Sequence, residues 1–75
     1  MITPAQCRAA RGLLGWRQLD LAKFAGIGVV TVHQFESNAS QPRRATVDVV
    51  RRAFESAGVE FIDKNGGGPG VRLRK

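Results

Sequence analysis

The chain has 75 residues, of which 43% are hydrophobic and 24% are charged, a composition typical of one small folded domain. Its single cysteine excludes an internal disulfide and a four-cysteine zinc site, and no apolar run approaches the roughly 20 residues of a membrane-spanning helix. The net charge of +6 favours a polyanionic partner, with a basic surface kept for solubility as the alternative. We expect a cytoplasmic protein.

Residues 3–14 are predicted to form the first helix. Thr3 is a favourable N-cap and Pro4 suits the first helical position, where its missing N–H costs nothing. The apolar residues that recur at helical spacing, and should face the core, are Cys7, Ala10 and Leu14. Arg8 lies off this face and should contact water, whereas Arg11 lies on its edge and the spacing alone does not place it.

Two short helices are predicted next, over residues 18–25 and 28–37, and Gly26 takes the turn between them. Glycine suits this turn because a reversal within three residues usually requires a positive φ, which glycine adopts without steric cost. Trp16 precedes the first of these helices and is expected to pack in the core against Leu21, as an apolar residue before an N-cap often does.

The second of these segments contains a conflict between local propensity and helical pattern. Residues 29–32 form a β-branched run, which by itself favours a strand. We favour a helix because Val32 and Phe35 then share one face. Gly28 is an acceptable N-cap, and Asn38 tolerates the left-handed conformation that closes a helix.

In the rest of the chain, we predict a polar loop over residues 37–44 and a fourth helix over residues 44–57. Two strands are predicted to follow, over residues 59–63 and 71–75. The glycine-rich connection between the strands lacks the Gly-Lys-Ser/Thr sequence of a phosphate-binding loop. A lone two-stranded hairpin is marginally stable in water. Residues 59–75 should therefore either pack on the domain formed by residues 1–58 or join the strands of another chain as a dimerisation element.

Eight residues at fixed spacing carry a family resemblance, and they are Gln18, Leu21, Ala22, Gly26, Ile27, Val32, Phe35 and Glu36. On these residues the chain resembles the XRE/Cro-like phage-repressor family of helix-turn-helix DNA-binding proteins, over residues 4–57. With the predicted strands, the resemblance implies a mainly α fold of four to five helices followed by a C-terminal two-stranded β-hairpin. It also implies a partly buried ion pair between Arg11 and Glu36.

The resemblance places the helix of residues 28–37 in the DNA major groove. The residues that it brings to the DNA are Val29, Val30 and Gln34 at base edges, with Thr31 and His33 beside them. Gln34 can bond adenine in a bidentate manner, whereas a valine can contact only a thymine methyl group. We therefore expect an A·T-leaning site of modest specificity, or reliance on DNA shape. The alternative is that one of the two valines packs inward.

The resemblance also implies contacts to the DNA backbone. The residues expected to contact phosphate are Arg17, Gln18, Asn38, Ser40, Arg43 and Arg44. Gln18 begins a helix, whose N-terminus favours an anion. With several such contacts, binding should weaken steeply as the salt concentration rises.

These expectations define the functional hypotheses. The first is a sequence-specific transcriptional regulator, a repressor, that binds double-stranded DNA as a homodimer. The alternative is an antitoxin-type module that binds a toxin or another small protein through its C-terminal strands as well as its own promoter. The sequence offers no nucleophile–base pair, no metal-ligand cluster and no paired carboxylates, so we expect no enzyme activity, cofactor or metal.

Overall fold

The structure is a computed structural model, which describes residues 2–39, 41–63 and 67–74. It contains four helices and one two-stranded sheet, and the chain order is α1 (Pro4–Leu14), α2 (Gln18–Ala25), α3 (Val29–Glu36), α4 (Arg44–Ser56), β1 (Val59–Ile62) and β2 (Gly70–Leu73). The predicted mainly α fold with a C-terminal hairpin is therefore confirmed. None of the four described helices combines the length and apolar character that a bilayer crossing requires.

The start of α1 is fixed by a reciprocal cap. The Thr3 hydroxyl accepts a hydrogen bond from the Gln6 backbone N–H at 3.1 Å, and Gln6 Oε1 accepts one from the Thr3 N–H at 2.8 Å. Two orphan donors of the first helical turn are thereby satisfied. The helix buries Cys7 and Ala10 and keeps Leu14 partly buried, so the predicted face is the one that packs.

The β-branched segment after Gly26 is helical, as the apolar spacing predicts. Gly26 ends α2 with φ of 72°, a conformation that glycine adopts without strain. Val32 and Phe35 on α3 are both buried, and this burial overrides the strand propensity of the valines. Asn38, with φ of 62°, closes the segment in the left-handed conformation.

All four helices and the hairpin contribute to the core, in which α3 packs on α1 and α2. The inward face of α4 consists of Val47, Val50 and Phe54. The Trp16 ring stacks on Phe24 at 4.6 Å between centroids and on Phe54 at 5.6 Å. Trp16 is thus a packing residue, as expected, but its two aromatic partners were not predicted.

The hairpin is antiparallel and packs on the helices. Val59 opposes Leu73 and Phe61 opposes Val71, and both β1 residues of these pairs join the helical core. The buried Gln6 amide connects α1 to the last strand pair, because Nε2 donates to the carbonyls of Ile62 (3.3 Å) and Gly70 (3.0 Å). A hairpin that would be marginal alone is therefore stabilised by the helices.

Candidate nucleic-acid interface

The outward face of α3 carries four exposed side chains. Val30 is 63% exposed and Val29 is 38% exposed, and His33 and Gln34 are also exposed. Neither valine joins the core, so the alternative in which one of them packs inward is wrong. This face therefore offers two apolar side chains and two side chains that can form hydrogen bonds.

Thr31 has a different environment from its four neighbours. It is partly buried and lines a small cavity between α3 and α4, together with Pro42 and Thr46. Its predicted place beside the DNA stays a prediction.

The residues that flank α3 are polar and exposed where the structure describes them. Asn38 follows the helix, and Arg43 and Arg44 stand at the start of α4. Ser40 lies outside the described residues. The contacts of these residues to phosphate remain predictions, and their exposure leaves them accessible to a ligand.

Arg17 at the start of α2 is paired with Asp20, an interaction that the sequence analysis did not predict. Asp20 Oδ1 accepts a hydrogen bond from Arg17 Nη2 at 3.0 Å, and Oδ2 accepts one from the Arg17 backbone N–H at 2.8 Å. These bonds lower the pKa of Asp20 to about 2. The signal was present, because an acidic residue three positions after an N-cap commonly accepts this backbone bond.

The inner side of α3 ends at a polar cluster centred on Glu36. Arg11 holds this carboxylate in a bidentate ion pair, with Nε at 2.6 Å from Oε2 and Nη2 at 2.7 Å from Oε1. Gln18 Nε2 donates to Oε1 at 3.1 Å, and Cys7 Sγ donates to Oε2 at 3.2 Å. The ion pair implied by the family resemblance is present, and it links α1, α2 and α3 through one carboxylate.

Burial and hydrogen bonding act in opposite directions on this carboxylate. Burial raises the pKa of Glu36, but the hydrogen bonds from Arg11, Gln18 and Cys7 outweigh it and leave the pKa below its usual value. Burial, and then the hydrogen bond to Glu36, raise the pKa of the Cys7 thiol. Cys7 therefore stays protonated and acts as a donor, and its burial agrees with its predicted place on the core-facing side of α1.

The lowered pKa of Glu36 leads to a testable prediction about acid stability. The ionised carboxylate stabilises the folded chain above the ordinary pKa of 4.5, and this stabilisation is lost as the pH falls through the lower folded-state pKa. Urea unfolding of the wild type and of Glu36→Gln should therefore show a stability difference that is largest near neutral pH and closes in acid. Asp20 titrates in both proteins, so its effect cancels. A difference independent of pH would contradict an ionised Glu36.

Gln18 and Arg8 have contacts that the sequence analysis missed. The Gln18 side-chain nitrogen donates a hydrogen bond to Glu36. The predicted phosphate contact would therefore come from other atoms of Gln18 or from the N-terminus of α2, and it stays a prediction. Arg8 is exposed, as expected, yet its Nη1 donates to the backbone carbonyl of Glu36. No sequence signal distinguishes this arginine from an ordinary solvated one, because its partner is 28 residues away.

The arrangement of α2 and α3 defines the class of protein. Two short helices meet at a glycine turn, and the second exposes one face while its other face and its last residue are fixed to the core. This is a helix-turn-helix, a motif whose second helix is called the recognition helix because in DNA-binding proteins it enters the major groove.

The comparisons with known proteins agree with this class. A family model described as helix-turn-helix matches residues 8–61, which is more than half of the chain. The chain therefore belongs to this family, the XRE/Cro-like helix-turn-helix DNA-binding proteins, and is a DNA-binding transcription regulator of that type. A comparison with curated proteins finds no match.

Proposed function

We propose that the protein is a sequence-specific transcriptional repressor that acts in the cytoplasm and reads the DNA major groove with α3. The observation that carries this proposal is the division of α3 into two faces. Val32, Phe35 and Glu36 are buried, whereas the opposite face presents Val29, Val30, His33 and Gln34 to solvent. A helix held in this way can insert its exposed face into the groove without disturbing the core.

The exposed side chains support a limited sequence code. Gln34 can form two hydrogen bonds with adenine, and the valines can contact thymine methyl groups. Specificity of this kind favours A·T pairs and depends in part on DNA shape. The flanking arginines, Arg43 and Arg44, would contribute charge to the phosphate contacts, and this contribution should fall with salt.

The direct test is to replace Gln34 by alanine after a preferred duplex has been selected from a random library. Loss of one bidentate base contact should weaken binding to that duplex by about 5- to 150-fold, with binding to a scrambled duplex nearly unchanged. Quantitative mobility-shift titrations measure the affinity for the selected duplex and for the scrambled duplex. Gln41→Ala is the matched control, because it truncates another exposed glutamine outside α3. Equal weak binding of every duplex, unaffected by Gln34→Ala, would refute sequence reading.

The proposal includes a homodimer on a pseudo-palindromic operator. In such complexes the half-sites lie about one helical turn, roughly 34 Å, apart. Two surfaces could join the copies, namely the hairpin with its exposed Leu73 and the outer face of α4, beside which Phe24 is exposed. Light scattering with and without the selected duplex tests this part, and a protein that stays monomeric on DNA at high concentration would contradict it.

The antitoxin-type alternative would use the hairpin as well, by adding a partner strand to its edge. The inner face of the hairpin is covered by α1 and α4, so a partner strand would join the hairpin at a strand edge. Co-purification of a second small protein that is lost on deletion of residues 59–75 would favour this alternative over the homodimer.

A further inference from the structure

The recognition helix has little local support of its own. Residues 29–32 are all β-branched, which lowers helix propensity. The N-cap is Gly28, which has no side chain to accept a hydrogen bond from the first turn. The position of α3 must therefore come from contacts with other elements.

The buried Val32 and Phe35 pack α3 on the core, and its last residue, Glu36, accepts hydrogen bonds from four side chains, of which three belong to α1 and one, Gln18, to α2. Arg11 and Cys7 bind the side chain of Glu36. Arg8 binds the same residue on its backbone, because Nη1 donates to the Glu36 carbonyl oxygen. This carbonyl is one of those left without a helical partner at a helix end, where the helix dipole also favours a positive charge.

Arg8 differs from Arg11 in its surroundings. The Arg11 side chain is 20% exposed and compensates a buried carboxylate, so its loss disturbs the whole fold. Arg8 is exposed and bonds a backbone oxygen next to the loop that holds Asn38. Its loss would leave the core intact and would free only the end of the helix.

We propose that Arg8 is a positioning residue for DNA recognition, which fixes the C-terminal end of α3 and so sets the angle at which Gln34 meets the bases. This inference rests on the proposed function. It gives Arg8, an exposed residue of α1 that is remote in sequence from the recognition helix, a part in base discrimination. Arg8 acts through Glu36 and touches no base itself.

The first experiment needs no DNA and therefore separates this inference from the proposed function. Hydrogen–deuterium exchange should be faster in Arg8→Gln at the amides of Ser37, Asn38 and Ala39, which bond the α3 carbonyls at 3.0–3.2 Å. Lys23→Gln is the matched control, because it removes one exposed positive charge from α2 and leaves α1 and α3 unchanged. Arg8→Lys, which keeps the charge and a donor, should restore most of the protection. Equal exchange in all four proteins would overturn the inference.

The second experiment measures discrimination. Arg8→Gln should lower the ratio of affinities for the selected and scrambled duplexes by up to about tenfold, because the loss of one hydrogen bond from a charged donor limits how far the misplacement of α3 can weaken base recognition, whereas Lys23→Gln should leave the ratio unchanged. An unchanged ratio would overturn the inference. So would an equal loss on both duplexes with a salt slope reduced by about one unit, because that result identifies Arg8 as a phosphate contact. If the wild type itself shows no discrimination, the proposed function fails, and the exchange experiment still decides the role of Arg8.

Discussion

Replacing Arg11 by alanine is expected to lower the free energy of unfolding by about 3–5 kcal/mol. The reason is that the Glu36 side chain is only 3% exposed and would keep its charge in the core without the bidentate partner. Gln18 and Cys7 would remain as donors, but neither carries a positive charge. The loss is a large part of the roughly 5–15 kcal/mol that stabilises a small domain.

Urea unfolding at neutral pH, read as a shift in midpoint at constant slope, measures this loss. Arg72→Ala is the matched control, because it breaks the ion pair between Arg72 and Glu60. In this pair the Arg72 side chain is 67% exposed and the Glu60 side chain is 40% exposed. An exposed pair of this kind contributes about 0–1 kcal/mol. If Arg11→Ala does not fold, Arg11→Lys keeps the charge but not the fork and should give an intermediate loss. Equal losses at the buried and exposed pairs would refute the role assigned to Glu36.

Replacing Phe54 by alanine is expected to cost about 3–5 kcal/mol. This side chain is fully buried, and it lies between two other rings, with centroids 5.6 Å from Trp16 and 6.0 Å from Phe61. The substitution therefore opens a cavity where α4, the α1–α2 connection and the hairpin meet. The whole chain should lose stability, because all three elements pack on this one ring.

Phe24→Ala provides the control for this prediction. Phe24 also stacks on Trp16, at 4.6 Å and 11° between the ring planes, but it is 67% exposed. Its truncation removes one stacking contact and leaves no enclosed cavity, so the cost should be about 0.5–1.5 kcal/mol. Thermal unfolding of both variants ranks them, and Phe54→Leu should fall between the two. A Phe24 variant as unstable as the Phe54 variant would contradict this account of the core.

The helices were predictable because helical spacing and capping act locally. Thr3, Gly26 and Asn38 each mark a helix end through their own backbone preference or side-chain chemistry. The hairpin was predictable from alternation, although β1 ends one residue earlier than expected, and β2 begins one residue earlier and leaves out Arg74. The helical state of α3 was a closer decision, since its valines favour a strand, whereas the shared face of Val32 and Phe35, the Gly28 N-cap and Asn38 favour a helix.

The candidate site was predictable in part. The outward residues of α3 follow from helical geometry once Val32 and Phe35 face inward, and the structure leaves Val29, Val30 and Gln34 exposed. The pairing of Arg11 with Glu36 came from the family resemblance, because spacing alone left Arg11 at the edge of a buried face. The contacts of Gln18, Cys7 and Arg8 to Glu36 were not predicted. The spacing of apolar residues along one helix does not identify which residue of another helix lies opposite a given side chain.

The sequence by itself therefore determined the order of the elements, the glycine turn of the helix-turn-helix and which face of each helix is buried. Those properties depend on residues a few positions apart, and local spacing encodes them. Only the tertiary structure decided which side chains meet across elements. It brought three residues of α1 to the end of α3, and it bound Gln6 to the carbonyls of Ile62 and Gly70. These contacts join residues up to 64 positions apart, and they depend on how the packed helices are oriented.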